Sequence, residues 1–418
     1  MHPRQRNRIT RRRMIRSTVI TAGLSFPWPP IGTAKLFGMN PRNNSHLDDT
    51  LREISSQWEL PGAIAGWFTI RPDGSSDQKL FHAGARKMGE PTELTSDDLC
   101  HLGSCTKAMT ATLLAIFVDR ALCSWDSTLA SLVPDEPWLQ NSPWGSVTID
   151  ELISHRAGLP ANTAWWLYQK LPPPTRLPDS LIGSDRSDQL ILVRRRAILQ
   201  SLESTPRPTS PEFVYSNLGY CIAGHALETL TGKSWERLMQ DEIFQPLGMK
   251  SAGFGPPSLA DPNSPWGHHR PSDDPTLPWV ASEIDNAAVL GPAGTVHASC
   301  ADWIRFLQLH LRSAMKAQAP EVHPERRLGL KEESLQHLHS DLSKNDYGGG
   351  WGLGGRTWAN GQILTHTGSN TTWTAMVFLA PQIRQGILAV TNAASPKAAD
   401  GCDQILQWIL RNHMESRP

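Results

Sequence analysis

His101-Leu-Gly-Ser-Cys-Thr-Lys107, continued by Ala108-Met-Thr-Ala-Thr-Leu-Leu-Ala-Ile-Phe-Val118, is a turn that feeds a long apolar helix. Ser104 falls in its first turn and Lys107 three residues on, and positions i and i+3 share one helix face. The ammonium can therefore come within hydrogen-bond reach of the serine hydroxyl. A neighbouring base is what makes such a hydroxyl a nucleophile. The Ser104 N–H stands where a helix leaves its donors without intrahelical partners, free to meet a developing oxyanion. A serine at a helix start is also an ordinary N-cap, so the spacing alone does not choose between cap and nucleophile.

Two further stretches bear on that choice. Tyr215-Ser216-Asn217 lies in Phe213-Val-Tyr-Ser-Asn-Leu-Gly-Tyr-Cys-Ile-Ala223, and His366-Thr367-Gly368 lies in Ile363-Leu-Thr-His-Thr-Gly-Ser-Asn370. The order is Ser-x-x-Lys, Tyr-x-Asn, then a cationic-type residue followed by Thr-Gly. As a set these resemble the penicillin-recognising serine hydrolases: class C β-lactamases, DD-peptidases, D-aminopeptidases and related carboxylesterases. The string Leu152-Ile-Ser-His155-Arg-Ala-Gly158-Leu-Pro160 is similar to the same family, and the resemblance covers most of residues 45 to 411.

The resemblance implies an α+β, β-lactamase-like fold: a mixed antiparallel sheet flanked by helices, with an inserted all-α domain. Residues 45–103 and 296–413 would build the sheet domain and 104–295 the helical one, leaving 1–40 as an export signal or tail. Ser104 would form an acyl-enzyme that water hydrolyses. Lys107 and Tyr215 would share its proton, the tyrosine serving as base where flanking cations hold it as phenolate. Sequence does not apportion the two. Asn217 would orient Lys107 and a substrate amide. The backbone N–H groups of Ser104 and Ser369 would form the oxyanion hole, Ser369 lying just past Thr367-Gly368 on an edge strand, with Gly368 permitting close approach.

His366 departs from the lysine usual in penicillin-active relatives. An unperturbed histidine titrates near 6.5, so it is a weak anchor for a substrate carboxylate, and His-Thr-Gly resembles the D-aminopeptidase and esterase branches more. The expected activity is hydrolysis of an ester or a small amide or peptide, with no metal or cofactor. The alternatives are a β-lactamase or DD-carboxypeptidase, a cell-wall sensor that acylates without turnover, and a non-catalytic binding protein. No Gly-x-Ser-x-Gly string offers a different nucleophile.

Size and charge agree with a globular enzyme. The chain has 418 residues, 39% hydrophobic and 19% charged, with 40 basic and 40 acidic side chains. Residues 1–16 hold seven arginines and no acid, so the remainder carries 33 basic against 40 acidic groups, a balance of −7 that argues against nucleic acid as a partner. The six cysteines (100, 105, 123, 221, 300, 402) contain no Cys-x-x-Cys pair. Cys105 reads as a small buried residue, because the motif spacing fits Ser104. No run of 18 apolar residues suggests a transmembrane helix. Thr10-Arg-Arg-Arg-Met-Ile-Arg16 and the mildly apolar Ser17 to Phe26 resemble a twin-arginine export signal, with a small-residue site at Gly32-Thr33-Ala34. That implies a periplasmic or secreted protein; a mere basic tail would leave it cytoplasmic.

Periodicity supplies the remaining elements. Residues 45–56 read as an amphipathic helix, and 61–70 and 79–83 as strands joined through Pro72-Asp73-Gly74. Residues 147–160 read as a helix stopped at Gly158 and Pro160, with His155 as either a second base or a helix-end hydrogen-bonding group. The aromatic, proline-rich residues 161–187 read as a substrate wall or a surface insertion. Helices are expected at 194–202, 220–230, 300–311 and 400–411, and strands at 348–353, 362–365, 371–379 and 386–390. Residues 256–292, with eight prolines and His268-His269, read as loop.

Overall fold

Strand β1 (Gly62–Ile70) is buried along nearly its whole length, as only a central strand covered on both faces can be. The computed structural model describes residues 46–162, 186–312 and 327–414, apart from 272, 273 and 275. In it β1 pairs with β2 (Ser76–Gly84) on one side and with β9 (Gln385–Thr391) on the other. The sheet continues through β8 (Thr374–Ala380) and β7 (Gly361–Ser369) to β6 (Gly352–Arg356), and every pairing is antiparallel. The expected export signal and most of the 161–187 stretch lie outside the described residues.

Alternation along the strands sorts their side chains into two cores. Ile64, Phe68, Ala375, Val377, Leu388 and Val390 face one cluster, which also holds Met109, Leu113 and Trp303. Ala63, Ala65, Met376, Ile387 and Ala389 face the other, closed by α1 (Leu47–Gln57) and α7 (Pro396–Ile409). The first face carries α2 (Thr106–Asp119) and α6 (Cys300–Arg312). A second sheet joins β3 (Leu99–His101), β4 (Gly253–Phe254) and β5 (Val296–Ser299) in the order β3-β5-β4. The strand leading into Ser104 thus belongs to this small sheet.

Helix α2 is apolar on every side, and all residues from Thr106 to Phe117 are buried. That is the signature of a helix inside a core, and it puts Lys107 in a dry place. α3 (Ile149–Ile153) starts on a capping box between Thr148 and Glu151. It is shorter than the sequence suggests: His155 adopts φ 62° and ends it three residues before Gly158. α5 (Asn217–Thr231) begins three residues earlier than expected because Ser216 caps it, accepting the Gly219 N–H. Ser395 likewise moves the start of α7 forward to Pro396.

Two further expectations are corrected. Residues 267–269 and 280–282 form a short hairpin within the stretch read as loop. There the His268 ring accepts the Met88 N–H and donates to the Asn392 carbonyl, both of them structural contacts. β7 is longer than 362–365 and is not an edge strand along its length, since β6 covers it from Gly361 to Thr365. Only residues 366–369 run past the end of β6. No helix among the described residues is long and apolar enough to cross a membrane.

Candidate active site

Four separate segments meet at the start of α2. Ser104 sits in the tight turn Gly103–Cys105, half-buried, and Lys107 follows it in the first turn of α2, fully buried. Lys107 Nζ lies 3.1 Å from Ser104 Oγ, 2.7 Å from Asn217 Oδ1 and 2.8 Å from the Ala293 carbonyl. Asn217 donates its other amide group to Asn162 Oδ1 at 2.9 Å, which fixes the side-chain orientation. Burial lowers Lys107 from its ordinary 10.5 to about 7. Two of its partners can only accept. A neutral amine gives its two N–H groups to them and leaves its lone pair for the Ser104 hydroxyl.

Tyr215, half-buried, stands just before the Ser216 cap. Burial pushes its hydroxyl well above the ordinary range, with Ser104 opposing in part. Lys107 Nζ lies 4.8 Å from the ring centroid. These surroundings favour a neutral tyrosine over the cation-held phenolate that the resemblance suggests.

Residues 366–369 pack closely against the serine turn, largely through backbone. A β-carbon on Gly368 would stand 2.9 Å from the Ser104 nitrogen, and one on Gly103 (φ 50°) would stand 2.4 Å from the Ser369 nitrogen. Only glycine permits both approaches. The two N–H groups expected to form an oxyanion hole are therefore neighbours, and Ser369 is exposed at the surface. Thr367, half-buried, lies between His366 and Gly368 on the same strand end.

His366 is buried. Its Nδ1 is 2.9 Å from the Thr367 carbonyl and its Nε2 is 3.2 Å from the Tyr347 hydroxyl. A carbonyl only accepts, so Nδ1 carries the proton and Nε2 accepts. Burial, reinforced by Lys107, lowers its pKa to about 3. It is a neutral interior group with both nitrogens engaged. Tyr347 carried no sequence signal of its own, though the adjoining Gly348-Gly349-Gly350 did. A β-carbon on Gly350 (φ 81°) would lie 2.5 Å from Ala108 Cα, so this glycine lets the loop press against α2, while Gly348 and Gly349 lie against Leu338.

His155 takes the helix-end role. Its Nδ1 accepts the Ser216 N–H at 3.0 Å and its carbonyl accepts the Val214 N–H. Its ring packs against Tyr215, Tyr220 and Tyr347, with centroids 4.4, 5.4 and 4.8 Å away. Those are three of the chain's four tyrosines. Burial, aided by Lys107 and His366, drives its pKa well below the ordinary value. Cys105 is buried, its Sγ lies against the His366 carbonyl, and burial raises its pKa strongly, as expected of an inert thiol.

The β-lactamase family profile matches residues 67–407. The chain belongs to the β-lactamase family. It is accordingly an enzyme, a serine hydrolase of the β-lactamase-related kind. It is 24% identical to penicillin-binding protein 4 of Amycolatopsis lactamdurans over 318 residues, covering 75% of this chain and 76% of that one. It is 31% identical over 217 residues to the unguisins hydrolase ungD' of Aspergillus campestris, covering 49% of this chain but 36% of that protein. Among solved structures, the β-lactamase from Sulfitobacter sp. EE-36 superposes with a TM-score of 0.64 at 19% identity, covering 87% of this chain and 98% of that one. The β-lactamase-like fold is thereby established for this member of the family.

Proposed function

We propose that this hydrolase cleaves an ester or a small amide or peptide through an acyl-enzyme on Ser104. The observation that carries the reading is the environment of Lys107: two acceptor-only partners, a third contact to Ser104 Oγ, and no water-exposed surface. Neutral Lys107 takes the hydroxyl proton as Oγ attacks the carbonyl carbon. The Ser104 and Ser369 N–H groups stabilise the resulting oxyanion, a contribution of about 3 kcal/mol for each such donor. The neutral Tyr215 hydroxyl, whose ring centroid lies 4.8 Å from Lys107 Nζ, relays the proton to the departing alkoxide or amine. Water then attacks the acyl carbon by the reverse relay and frees Ser104. Asn217 holds Lys107 in register.

The state of His366 bears on the substrate. A neutral ring with both nitrogens engaged offers no charge to a free carboxylate, which favours an ester or an internal amide over a C-terminal D-amino acid. The second reading, a DD-carboxypeptidase or β-lactamase, rests on similarity to a penicillin-binding protein and to a putative D-alanyl-D-alanine carboxypeptidase of Escherichia coli.

The test compares wild type and Ser104→Ala on p-nitrophenyl butyrate, D-alanine p-nitroanilide and nitrocefin. One substrate should turn over, and the variant should lose it by about a thousandfold. Equal rates for the two proteins on all three would leave Ser104 as a helix cap and end the proposal. A product burst without a steady state would mark a sensor.

A further inference from the structure

The stretch that carries Ser104 opens on a residue the mechanism above does not use. His101 is fully buried at the end of β3. Its Nδ1 accepts the Gly103 N–H at 3.0 Å, so that nitrogen is unprotonated and Nε2 carries the hydrogen. Nε2 faces Asp285 Oδ1 at 3.1 Å, with its N–H turned off the line to the oxygen, making the contact an electrostatic attraction more than a straight hydrogen bond. The same oxygen accepts Asn370 Nδ2 at 2.8 Å and the Asn286 N–H at 2.7 Å. Asn370 is buried and its Oδ1 accepts the Thr372 and Trp373 N–H groups. Asn286 Nδ2 donates to the Gly294 carbonyl at 2.7 Å, one residue beyond the carbonyl that holds Lys107.

Gly103 is the residue before Ser104, and Asn370 is the residue after Ser369. The contacts of Asp285 therefore reach the immediate neighbours of both N–H groups assigned to the oxyanion hole, which come from opposite ends of the chain. A carboxylate oxygen suits this place because it accepts from several donors at once, and charge-assisted bonds are about twice as strong as neutral ones. We propose that His101, Asp285 and Asn370 form a positioning relay that fixes the separation of the two oxyanion donors, with Asp285 at its centre. The proposal rests on the reading of Ser104 as nucleophile and of Ser104 and Ser369 as the donor pair.

A transition-state analogue separates this role from general scaffolding. Phenylboronic acid adds to Ser104 Oγ, whose proton leaves to solvent, so that a boron-bound oxygen stands where the oxyanion would. Asp285→Ala should lower kcat by roughly ten- to hundredfold and leave KM within about threefold. It should weaken phenylboronic acid by the same factor as kcat/KM, and the isosteric Asp285→Asn should fall between it and wild type. Wild-type kcat/KM in Asp285→Ala, or a loss of kcat with boronate affinity intact, overturns the relay. If Asp285→Ala fails to melt cooperatively, Asp285→Asn decides alone: unchanged kcat/KM and boronate affinity refute the proposal. Ser104→Ala run in parallel tells the two failures apart. If it keeps both activity and boronate affinity, the nucleophile assignment falls and the relay with it. If it is inactive while Asp285→Ala is normal, the relay alone falls.

Discussion

If neutral Lys107 is the base, the rate should follow its deprotonation. Burial lowers it from 10.5 to about 7, so kcat/KM should be level above about pH 8 and fall tenfold per pH unit below 7. At pH 5 about one molecule in a hundred would hold the free amine, a hundredfold loss. His366 and His155 do not titrate in that window, since burial takes His366 to about 3 and His155 well below its ordinary value. The limb should therefore survive in His366→Asn. Stability carries the same signature. Between pH 7 and 10.5 the unfolded chain binds a proton at Lys107 that the native state does not, so stability rises with pH across this window. At about 1.4 kcal/mol per pH unit the full effect is roughly 5 kcal/mol. The assay is p-nitrophenyl butyrate hydrolysis from pH 5 to 9, or whichever ester or anilide proves to be the substrate, with urea titrations from about pH 7 to 10.5. A kcat/KM flat from pH 5 to 9 would refute the assignment of Lys107 as base.

Other substitutions test the supports of the site. Gly350→Ala places a methyl 2.5 Å from Ala108 Cα at φ 81°, which should cost about 3 kcal/mol or more and reduce activity by shifting the start of α2; the urea midpoint reports the first effect. Arg195 is buried among Glu228, Glu236 and the Val289 carbonyl, and it ties α4 (Arg186–Gln200) to the segment that leads to Ala293. Arg195→Met leaves the buried Glu228 with only the Trp235 N–H and His225 in place of its guanidinium, so about 3–5 kcal/mol should be lost, and an unchanged denaturation curve would contradict that account. For the amino terminus we propose export: replacing Arg11, Arg12 and Arg13 by Lys in the full chain should keep the protein in the cytoplasmic fraction of a bacterium that otherwise exports it.

The parts legible in the sequence are those set by local spacing. Ser104 and Lys107 are three residues apart on one helix, and the period-2 runs of β1, β8 and β9 place their side chains on one face or the other. What escaped depends on partners distant in the chain. The Ala293 carbonyl is the third ligand of Lys107, and a backbone carbonyl leaves no mark in a sequence. Tyr347 reaches His366 from a loop that Gly350 lets lie against α2 and that Gly348 and Gly349 let lie against Leu338, and His366 looks titratable until the burial of β7 is known. His155 shortens α3 by adopting a left-handed backbone conformation that glycine usually occupies, so the stop appeared to belong to Gly158. Asp285 lies in a proline-rich stretch whose periodicity gives no sign that it touches β3 and Asn370, just past β7, together.

The pairing of β1 with β9 sets the order in which the enzyme can come into being. Ala63 lies opposite Thr391, and the Thr391 hydroxyl bonds to the Gly62 carbonyl across 329 residues of chain. Contacts of such separation close slowly and late. A nascent chain that has made α2 but not β7 to β9 has Ser104 and Lys107 side by side in water, where the amine holds its proton and no second N–H donor is present. On the proposed mechanism, catalytic competence is therefore a property of the finished sheet, since β7 must be in place before the second N–H donor meets the Ser104 motif.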